Sequence, residues 1–220
     1  MNVFFDLDGP LLDVSERYYR VHREIVAGHP VPALGKEELW EMKRRQVPVD
    51  ALVAGADPAL TPAQYREKWL ERIERPEFLA YDRVVPGALE VLRALRERHA
   101  LYLVTLRRDG ETLRWQLDRL GMRPAFRQVF WGQRDGVPGW QIKVEGIRTA
   151  GLAEPGGVII GDSEVDVQAG RELGMLTIAT TNGIRTAGFL AQVAGADILI
   201  PEITALLPTL DALQQRGVLA

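Results

Sequence analysis

Short runs of apolar and β-branched residues recur along the chain without the strict alternation of a half-exposed strand. Such runs are typical of strands that are buried on both faces of a sheet. The predicted strands cover residues 3–5, 101–105, 129–131, 158–160, 177–179 and 198–200. Between them, apolar residues at helical spacing predict helices over residues 88–95, 113–120, 166–173 and 205–215. Strands that alternate with helices predict an α/β fold with a doubly wound, mostly parallel sheet.

Residues 14–82 break this rhythm. They contain no convincing strand, and their apolar spacing predicts helices over residues 36–45 and 61–75. Thr61 followed by Pro62 is typical of an N-cap with proline at the first helical position. We therefore predict a helical domain over residues 14–82, inserted into an α/β core domain that is formed by residues 1–13 and 83–220.

Composition narrows the classes of function. At 220 residues, 46% hydrophobic and 26% charged, the chain has the composition of a globular protein. The net charge is −3 and basic residues are interleaved with acidic ones, which argues against nucleic-acid binding. No apolar run approaches the ~20 residues that cross a bilayer. The absence of cysteine and of a signal-peptide pattern makes the cytoplasm the expected location. The oligomeric state is not predicted.

Chemically suggestive residues follow three of the predicted strands. Asp6 and Asp8 follow the first, Thr105 ends the second, and Asp162 follows the fourth. In an extended strand Asp6 and Asp8 would point to the same side and repel each other, unless a cation or a chemical task holds them there. Ligands bind beyond the carboxyl ends of parallel strands. We therefore expect Asp6, Asp8 and Asp162 to cluster in an oxygen-rich site that suits Mg²⁺, although each motif alone is also compatible with a simple turn.

Lys143 is unusual for this chain. Only four lysines are present among many arginines, and Lys143 is the only one after residue 68. A single lysine is usually a solvated surface residue. A compact ammonium group nevertheless suits simultaneous contact with a carboxylate and a phosphate. We predict that Lys143 is catalytic.

The pattern resembles the haloacid dehalogenase superfamily of hydrolases. The matching pieces, in the order of that family, are Asp6-Leu7-Asp8-Gly9, Thr105, Lys143, and Gly161-Asp162-Ser163 with Asp166. The family places a helical cap between its first and second motifs, where this chain has its predicted helical insert. The resemblance implies a Rossmann-like core and a phosphohydrolase that acts on a small phosphorylated substrate.

The resemblance also implies roles for individual residues. Asp6 would attack phosphorus to form an aspartyl-phosphate, and Asp8 would act as general acid and base. Mg²⁺ would bind the side chains of Asp6 and Asp162 and the backbone carbonyl of Asp8. The remaining residues would bind the phosphoryl group or substrate (Thr105, Leu106, Arg107, Lys143) or support the site (Gly9, Ser163, Asp166).

Asp166 would hold either Lys143 or a metal-bound water. Arg107 and its neighbour Arg108 are candidates for binding a substrate carboxylate or a second phosphate. Two positions depart from the family pattern, Pro10 and Leu106, and we expect them to affect rate and substrate preference more than reaction type.

Alternative functions remain at the level of the sequence. Asp8 favours phosphoryl transfer over dehalogenation, since a departing halide needs no proton whereas an alkoxide does. A phosphosugar mutase of the same superfamily would keep the same residues. A non-catalytic module that binds Mg²⁺ and phosphate is the alternative from another class, with Pro10 and Leu106 as its support. The preferred prediction is a Mg²⁺-dependent phosphohydrolase whose cap excludes large polymers.

Overall fold

The computed structural model describes residues 1–31, 34–48, 53 and 57–219. Residues 32–33, 49–52 and 54–56 of the predicted helical insert, and residue 220, lie outside the described residues. The chain forms two compact units, one of residues 1–13 and 84–220 and the other of residues 14–83.

A six-stranded parallel sheet is the centre of the first unit. In chain order the strands are β1 Asn2–Phe5, β2 Leu12–Asp13, β3 Arg83–Val84, β4 Ala100–Thr105, β5 Gln128–Trp131, β6 Val158–Gly161, β7 Leu176–Thr180 and β8 Ile198–Ile200. The order across the sheet is β5-β4-β1-β6-β7-β8, while β2 and β3 form a separate two-stranded sheet. Each neighbouring pair in the large sheet is parallel. The predicted α/β class is therefore confirmed, and each predicted strand differs from the observed one by no more than one residue at either end.

The second unit is helical. In the described part of this unit the helices are α1 Ser15–Val26, α2 Lys36–Arg44, α3 Pro62–Arg72 and α4 Pro76–Leu79. Helix α3 begins after Thr61, whose side chain accepts from the Gln64 amide while the Gln64 side chain accepts from the Thr61 amide. This capping box and Pro62 explain why the helix begins where the sequence predicts.

Apolar side chains from α1–α4 form the core of the helical unit, with Tyr65 fully buried. Two polar pairs are buried with them. His22 Nδ1 lies 2.9 Å from the Tyr65 hydroxyl, and Arg17 Nε lies 3.1 Å from Asp82 Oδ1. Buried polar groups need such partners, because desolvation without them is costly.

The sheet of the first unit is flanked by helices. They are α5 Ala88–Arg96, α6 Gly110–Arg119, α7 Gly139–Thr149, α8 Glu164–Leu173, the short α9 Ala187–Phe189 and α10 Leu206–Gln215. Shorter turns of 3₁₀ helix cover Arg123–Ala125 and Ile203–Ala205, and a π turn covers Leu190–Ala194. Val144 and Ile147 of α7 pack with Phe4, Tyr102 and Ile159 from the central strands, as the buried strand pattern indicated.

Helix α8 lies unusually close to the sheet. A Cβ at Gly170 would overlap the side chains of Ile159 and Thr177, so glycine permits this approach. The helix begins with a capping box between Ser163 and Asp166 and ends at Gly174, which has a left-handed φ of 64°. Its first turn is thereby held at the carboxyl end of β6.

Among the described residues, no helix combines the length and apolar character that crossing a membrane requires.

Candidate active site

Three adjacent strands deliver the predicted residues to one edge of the sheet. β1 lies between β4 and β6, so Asp6, Thr105 and Asp162 stand at or just beyond neighbouring carboxyl ends. The Asp6 amide donates to the Ile160 carbonyl at 2.8 Å, which keeps the backbone of Asp6 beside β6. This is the edge at which ligands bind in open α/β sheets.

Asp6, Asp162 and Asp166 form an acidic cluster. Each offers a carboxylate oxygen, and these oxygens lie within 4.8 Å of one another. The expectation that the side chain of Asp8 joins Asp6 and Asp162 is not met, because β1 ends at Phe5 and its alternation does not continue through residues 6–8. Asp8 instead turns its carboxylate to Arg107.

Both carboxylate oxygens of Asp166 accept hydrogen bonds from other groups of the protein. Its Oδ1 accepts from Lys143 Nζ at 2.6 Å. Its Oδ2 accepts from the Ser163 hydroxyl at 2.7 Å and lies within reach of the backbone amides of Ser163 and Asp162, at 3.2 and 3.3 Å. Of the two predicted roles for Asp166, the geometry matches that of holding Lys143, with Ser163 supporting it.

Lys143 lies between two carboxylates. Only 2% of the residue is exposed, and Nζ is 3.1 Å from Asp6 Oδ1 as well as 2.6 Å from Asp166. Burial by itself lowers the pKa of Lys143, but the charges of Asp166 and Asp6 outweigh it and raise that pKa above its usual range. Lys143 is therefore a buried, permanently charged ammonium group and not a solvated surface lysine.

One ammonium group does not balance the carboxylates around it. Burial raises the pKa of Asp6 to about 7, and the charges of Asp166 and Asp8 add to this effect while Lys143 opposes it. Burial also raises the pKa of Asp162 well above its usual range, with a further contribution from Asp6. The cluster therefore disfavours its own full ionisation, and added positive charge would relieve it.

Glycines make room for the carboxylates. A Cβ at Gly9 or Gly183 would overlap the carboxylate of Asp162, and a Cβ at Gly161 would overlap that of Asp166. Gly9 also has a φ of +105°, a conformation that other residues rarely adopt. The glycine of the Asp-x-Asp-Gly motif is thus explained both by the positive φ of its backbone and by the closeness of the Asp162 carboxylate.

The chemistry of the donors fits a hard divalent cation. Asp162 Oδ2 accepts from the Ile184 amide at 2.5 Å, but Asp162 Oδ1 is buried and has no hydrogen-bond partner in the described part of the chain. A buried carboxylate oxygen without a partner is costly unless a cation binds it. Asp6 and Asp162 therefore supply the kind of oxygen ligands that Mg²⁺ prefers.

Arg107 and Asp8 form a two-point ion pair. Arg107 Nε donates to Asp8 Oδ2 at 3.0 Å, and Nη2 donates to Oδ1 at 2.7 Å. Only 5% of the Arg107 side chain is exposed, against 25% of the Asp8 side chain. The neighbouring Arg108 donates to Gln133 at 2.7 Å. The structure thus separates two arginines that the sequence left as equal candidates.

Thr105 and Leu106 follow each other at the end of β4. Thr105 is buried and lines a cavity of about 260 Å³ together with Lys143. The Leu106 side chain packs against Gly139 at the beginning of α7 and is not available for polar contacts. Leu106 can therefore contribute only backbone groups to a phosphate site, as its residue type predicts.

The segment of residues 181–186 completes the site and was missed by sequence reasoning. Its Ile184 amide binds Asp162, and Arg185 donates to both carboxylate oxygens of Glu164, at 2.7 and 2.9 Å. Glu164 is the first residue of α8, so this ion pair fastens the segment to the helix that carries Asp166. A backbone donor carries no signal in residue type. The only available hint was Gly183, which also packs against Asp162.

Comparison with known proteins identifies the family of the chain. A family model described as haloacid dehalogenase-like hydrolase matches residues 1–174. A phosphoglycolate phosphatase of Rhodobacter capsulatus is 26% identical over 191 residues, which cover 83% of this chain and 85% of the relative. A phosphoglycolate phosphatase of Pseudomonas putida is 27% identical over 215 residues, covering 94% of this chain and 78% of the relative.

A solved structure shares the fold. A haloacid dehalogenase-like family hydrolase from Streptococcus pneumoniae superposes with a TM-score of 0.78 at 19% identity, over 95% of this chain and 97% of the other. The chain belongs to the haloacid dehalogenase-like hydrolases, as the ordered motifs predicted. It is an enzyme of the phosphatase class within that family.

Proposed function

We propose that the protein hydrolyses a small phosphomonoester through a phosphorylated Asp6. The observation that carries this proposal is the contact of Asp6 Oδ1 with buried Lys143, at 3.1 Å, beside an Asp162 carboxylate that has one unpartnered oxygen. A carboxylate held next to a fixed cation can approach an anionic phosphoryl group and attack phosphorus. The P–O bond to the leaving alcohol then breaks as the bond to Asp6 forms.

Asp6 and Asp162 would hold Mg²⁺ with the backbone carbonyl of Asp8. When bound, the ion supplies the positive charge that lets an anionic phosphoryl group approach the Asp6 carboxylate. Lys143 balances charge on the same side and is kept in place by Asp166. The Thr105 hydroxyl and the Leu106 amide are proposed donors to the phosphoryl oxygens, with Gly9 and Ser163 as supporting residues.

Asp8 is the proposed general acid and base. It would give a proton to the leaving alkoxide, and it would then take one from the water that attacks the aspartyl-phosphate. Both oxygens of Asp8 are bound to Arg107 in this structure, so Asp8 has to leave Arg107 before it can act.

The proposed substrate is a small phosphorylated acid such as 2-phosphoglycolate, on which two relatives are named to act. We further propose that the helical unit of residues 14–83 is the cap of the family, which favours small substrates over polymers. The cytoplasm stays the predicted location.

The test is phosphate release from 2-phosphoglycolate and a panel of other small phosphoesters, with Mg²⁺ or with EDTA. We expect turnover only with Mg²⁺, and a loss of more than about 1,000-fold in Asp6→Asn. Asp135→Asn is the matched control, because Asp135 is fully exposed and its ion pair is with Arg108, outside the acidic cluster. When a substrate with a radioactive phosphate group is used and the reaction is quenched rapidly, radioactivity should remain bound to the wild type and be absent from Asp6→Asn.

Other outcomes identify the alternatives. Interconversion of sugar phosphates that requires a bisphosphate activator would identify a mutase. A Mg²⁺-dependent rise in melting temperature without turnover of any compound would identify a binding module and overturn the proposal.

A further inference from the structure

The ion pair between Arg107 and Asp8 is a carboxylate-binding site that the enzyme occupies with its own acid. The guanidinium group contacts both oxygens of Asp8, at 2.7 and 3.0 Å, in the two-point geometry that arginine adopts with carboxylates. Asp8 is the group that has to face a leaving oxygen in the proposed reaction. As long as Arg107 binds both of its oxygens, Asp8 is turned towards Arg107 and away from that task.

The burial of the pair limits what can separate it. The side chain of Arg107 is only 5% exposed, and a buried guanidinium group that loses its carboxylate without a replacement carries a large desolvation cost. A second carboxylate avoids this cost because it offers the same charge and the same two oxygens. An uncharged part of a substrate offers neither.

We propose that Arg107 is the specificity-determining residue of the enzyme and selects phosphomonoesters that carry a carboxylate close to the ester. On binding, the substrate carboxylate takes the place of Asp8 on Arg107, and Asp8 is released to serve the leaving oxygen. Acid catalysis is thereby available chiefly when a carboxylated substrate is bound. The release of Asp8 for acid catalysis rests on the proposed phosphatase reaction. The exchange of carboxylates on Arg107 can be measured without turnover.

A matched pair of inert ligands isolates the carboxylate. 3-Phosphonopropionate and propylphosphonate have the same chain and phosphonate group, and only the first carries a carboxylate. Titration calorimetry with Mg²⁺ present should show that the wild type prefers 3-phosphonopropionate by at least about tenfold. Arg107→Gln should abolish this preference and change the affinity for propylphosphonate by less than about threefold. Arg108→Gln is the control and should keep the preference, because Arg108 donates to Gln133 and pairs with Asp135.

Asp8→Asn gives the decisive comparison. If the two carboxylates compete for Arg107, removing the charge of Asp8 should tighten binding of 3-phosphonopropionate by at least about fivefold. Binding of propylphosphonate should not tighten by the same factor. Equal changes in affinity for the two ligands would overturn the proposed exchange of carboxylates on Arg107. Arg107→Lys, which keeps the charge but loses the two-point contact, should give an intermediate preference and serves the same test if Arg107→Gln does not fold.

Kinetics extend the test to catalysis. Arg107→Gln should lower kcat/KM for 2-phosphoglycolate by at least about tenfold, mainly through KM, and should leave kcat/KM for ethyl phosphate within about threefold or raise it. Equal losses on both substrates would mean that Arg107 only positions Asp8. Tighter binding of propane-1,3-bisphosphonate than of 3-phosphonopropionate would overturn the carboxylate as the selected group.

The failure of the proposed reaction gives a different result. If the wild type hydrolyses neither substrate but the calorimetric preference follows Arg107 and Asp8, the phosphatase mechanism fails and the exchange stands. If the wild type hydrolyses both substrates and shows no preference between the two inert ligands, the exchange fails and the phosphatase mechanism stands.

Discussion

At the scale of single residues, the charge of the site is arranged around two cations that have different tasks. Lys143 is held between Asp6 and Asp166, and Arg107 is held by Asp8. Burial raises the pKa values of Asp6 and Asp162, and the charges of the neighbouring carboxylates, which one lysine does not balance, raise them further. Full ionisation of this cluster is therefore unfavourable, and added positive charge would relieve it.

This excess charge predicts how Asp6 affects stability. The pKa of Asp6 is about 7 in the folded protein and near 3.8 in the unfolded chain, so the unfolded state releases its proton first. Asp6 therefore lowers the free energy of unfolding progressively as pH rises from about 4 to 7. In EDTA at pH 7.5, Asp6→Asn should be more stable than the wild type by on the order of 2 kcal/mol.

The measurement is urea denaturation in EDTA at pH 4 and at pH 7.5, with Asp135→Asn as the control. The stabilising effect should be small at pH 4 and large at pH 7.5. Added Mg²⁺ should stabilise the wild type more than Asp6→Asn. An Asp6→Asn protein that is less stable than the wild type at pH 7.5 would contradict the prediction.

Gly183 gives a second prediction, because it can be compared with a glycine nearby in the chain. A Cβ at Gly183 would overlap the Asp162 carboxylate, whereas a Cβ at Gly188 meets nothing within 4 Å. Gly183→Ala should weaken Mg²⁺ binding by at least about tenfold, since it displaces a proposed ligand. Gly188→Ala should leave Mg²⁺ affinity unchanged. Calorimetric titration with Mg²⁺ checks this, and equal affinities in the two variants would argue against Asp162 as a ligand.

Sequence reasoning brought together several charged residues of the candidate site but not all of their contacts. Asp6 and Asp162 are conspicuous because they follow buried strands, and Lys143 because it is the only lysine after residue 68. The pairing of Arg107 with Asp8 was missed because their positions are 99 residues apart and meet only through the β1–β4 register. The Ile184 amide was missed because any residue type supplies a backbone donor.

At the scale of the secondary-structure elements, helix α8 organises the site from its first turn. Its capping box holds Asp166, and Glu164 anchors the segment of residues 181–186 through Arg185. That segment in turn binds Asp162 through Ile184. Helix α8 therefore holds the Asp166 carboxylate and the segment holds the Asp162 carboxylate. Loosening the connection between the two elements should disturb the site without disturbing the core.

Arg185→Gln tests this connection. The Arg185–Glu164 pair is partly exposed, so its loss should lower the free energy of unfolding by less than about 1 kcal/mol. Mg²⁺ affinity should nevertheless fall by about three- to tenfold, because the Ile184 amide is no longer fixed. Arg148→Gln is the control, since Arg148 contacts the Glu172 carbonyl at the other end of α8. Unchanged Mg²⁺ affinity in Arg185→Gln would show that the Arg185–Glu164 pair does not position the Ile184 amide.

Helix α1 carries a buried histidine that should make the helical unit sensitive to acid. Burial, with smaller contributions from Lys43 and Arg23, lowers the pKa of His22 to about 4, from 6.5 in the unfolded chain. As pH falls, His22 therefore binds a proton in the unfolded state before it does so in the folded state. The free energy of unfolding decreases for this reason between about pH 6.5 and 4. At pH 4.5 this loss should be on the order of 2 kcal/mol relative to pH 7.5.

The prediction is checked as a difference between two proteins, because Asp6 changes stability in the opposite direction over part of this range. The wild type should lose more stability than His22→Asn when urea denaturation is moved from pH 7.5 to pH 4.5. The same difference should be absent between pH 7.5 and pH 8.5. Parallel pH profiles for the two proteins would contradict the assigned pKa of His22.

At the scale of the whole molecule, sequence patterns predict individual strands and helices better than the pairings between distant segments. Buried strands and amphipathic helices have local signals, and the predicted elements lie within a few residues of those observed. The order of strands across the sheet has no local signal, because it depends on pairings between distant segments. The ion pair of Arg17 with Asp82 in the helical unit was missed for the same reason.

The position of β1 in the middle of the sheet has a consequence for how the chain acquires its fold. Residues 2–5 pair with residues 100–103 on one side and, through residues 3–5, with residues 158–160 on the other. On a ribosome, the strand that leads to Asp6 must therefore wait for more than 150 residues of synthesis before both of its edges are covered. The helical unit uses one continuous segment and can fold during that interval. The strand that leads to Asp6 thus keeps one edge uncovered until β6 has been made, and a chaperone that binds nascent chains would find residues 2–5 incompletely paired throughout that interval.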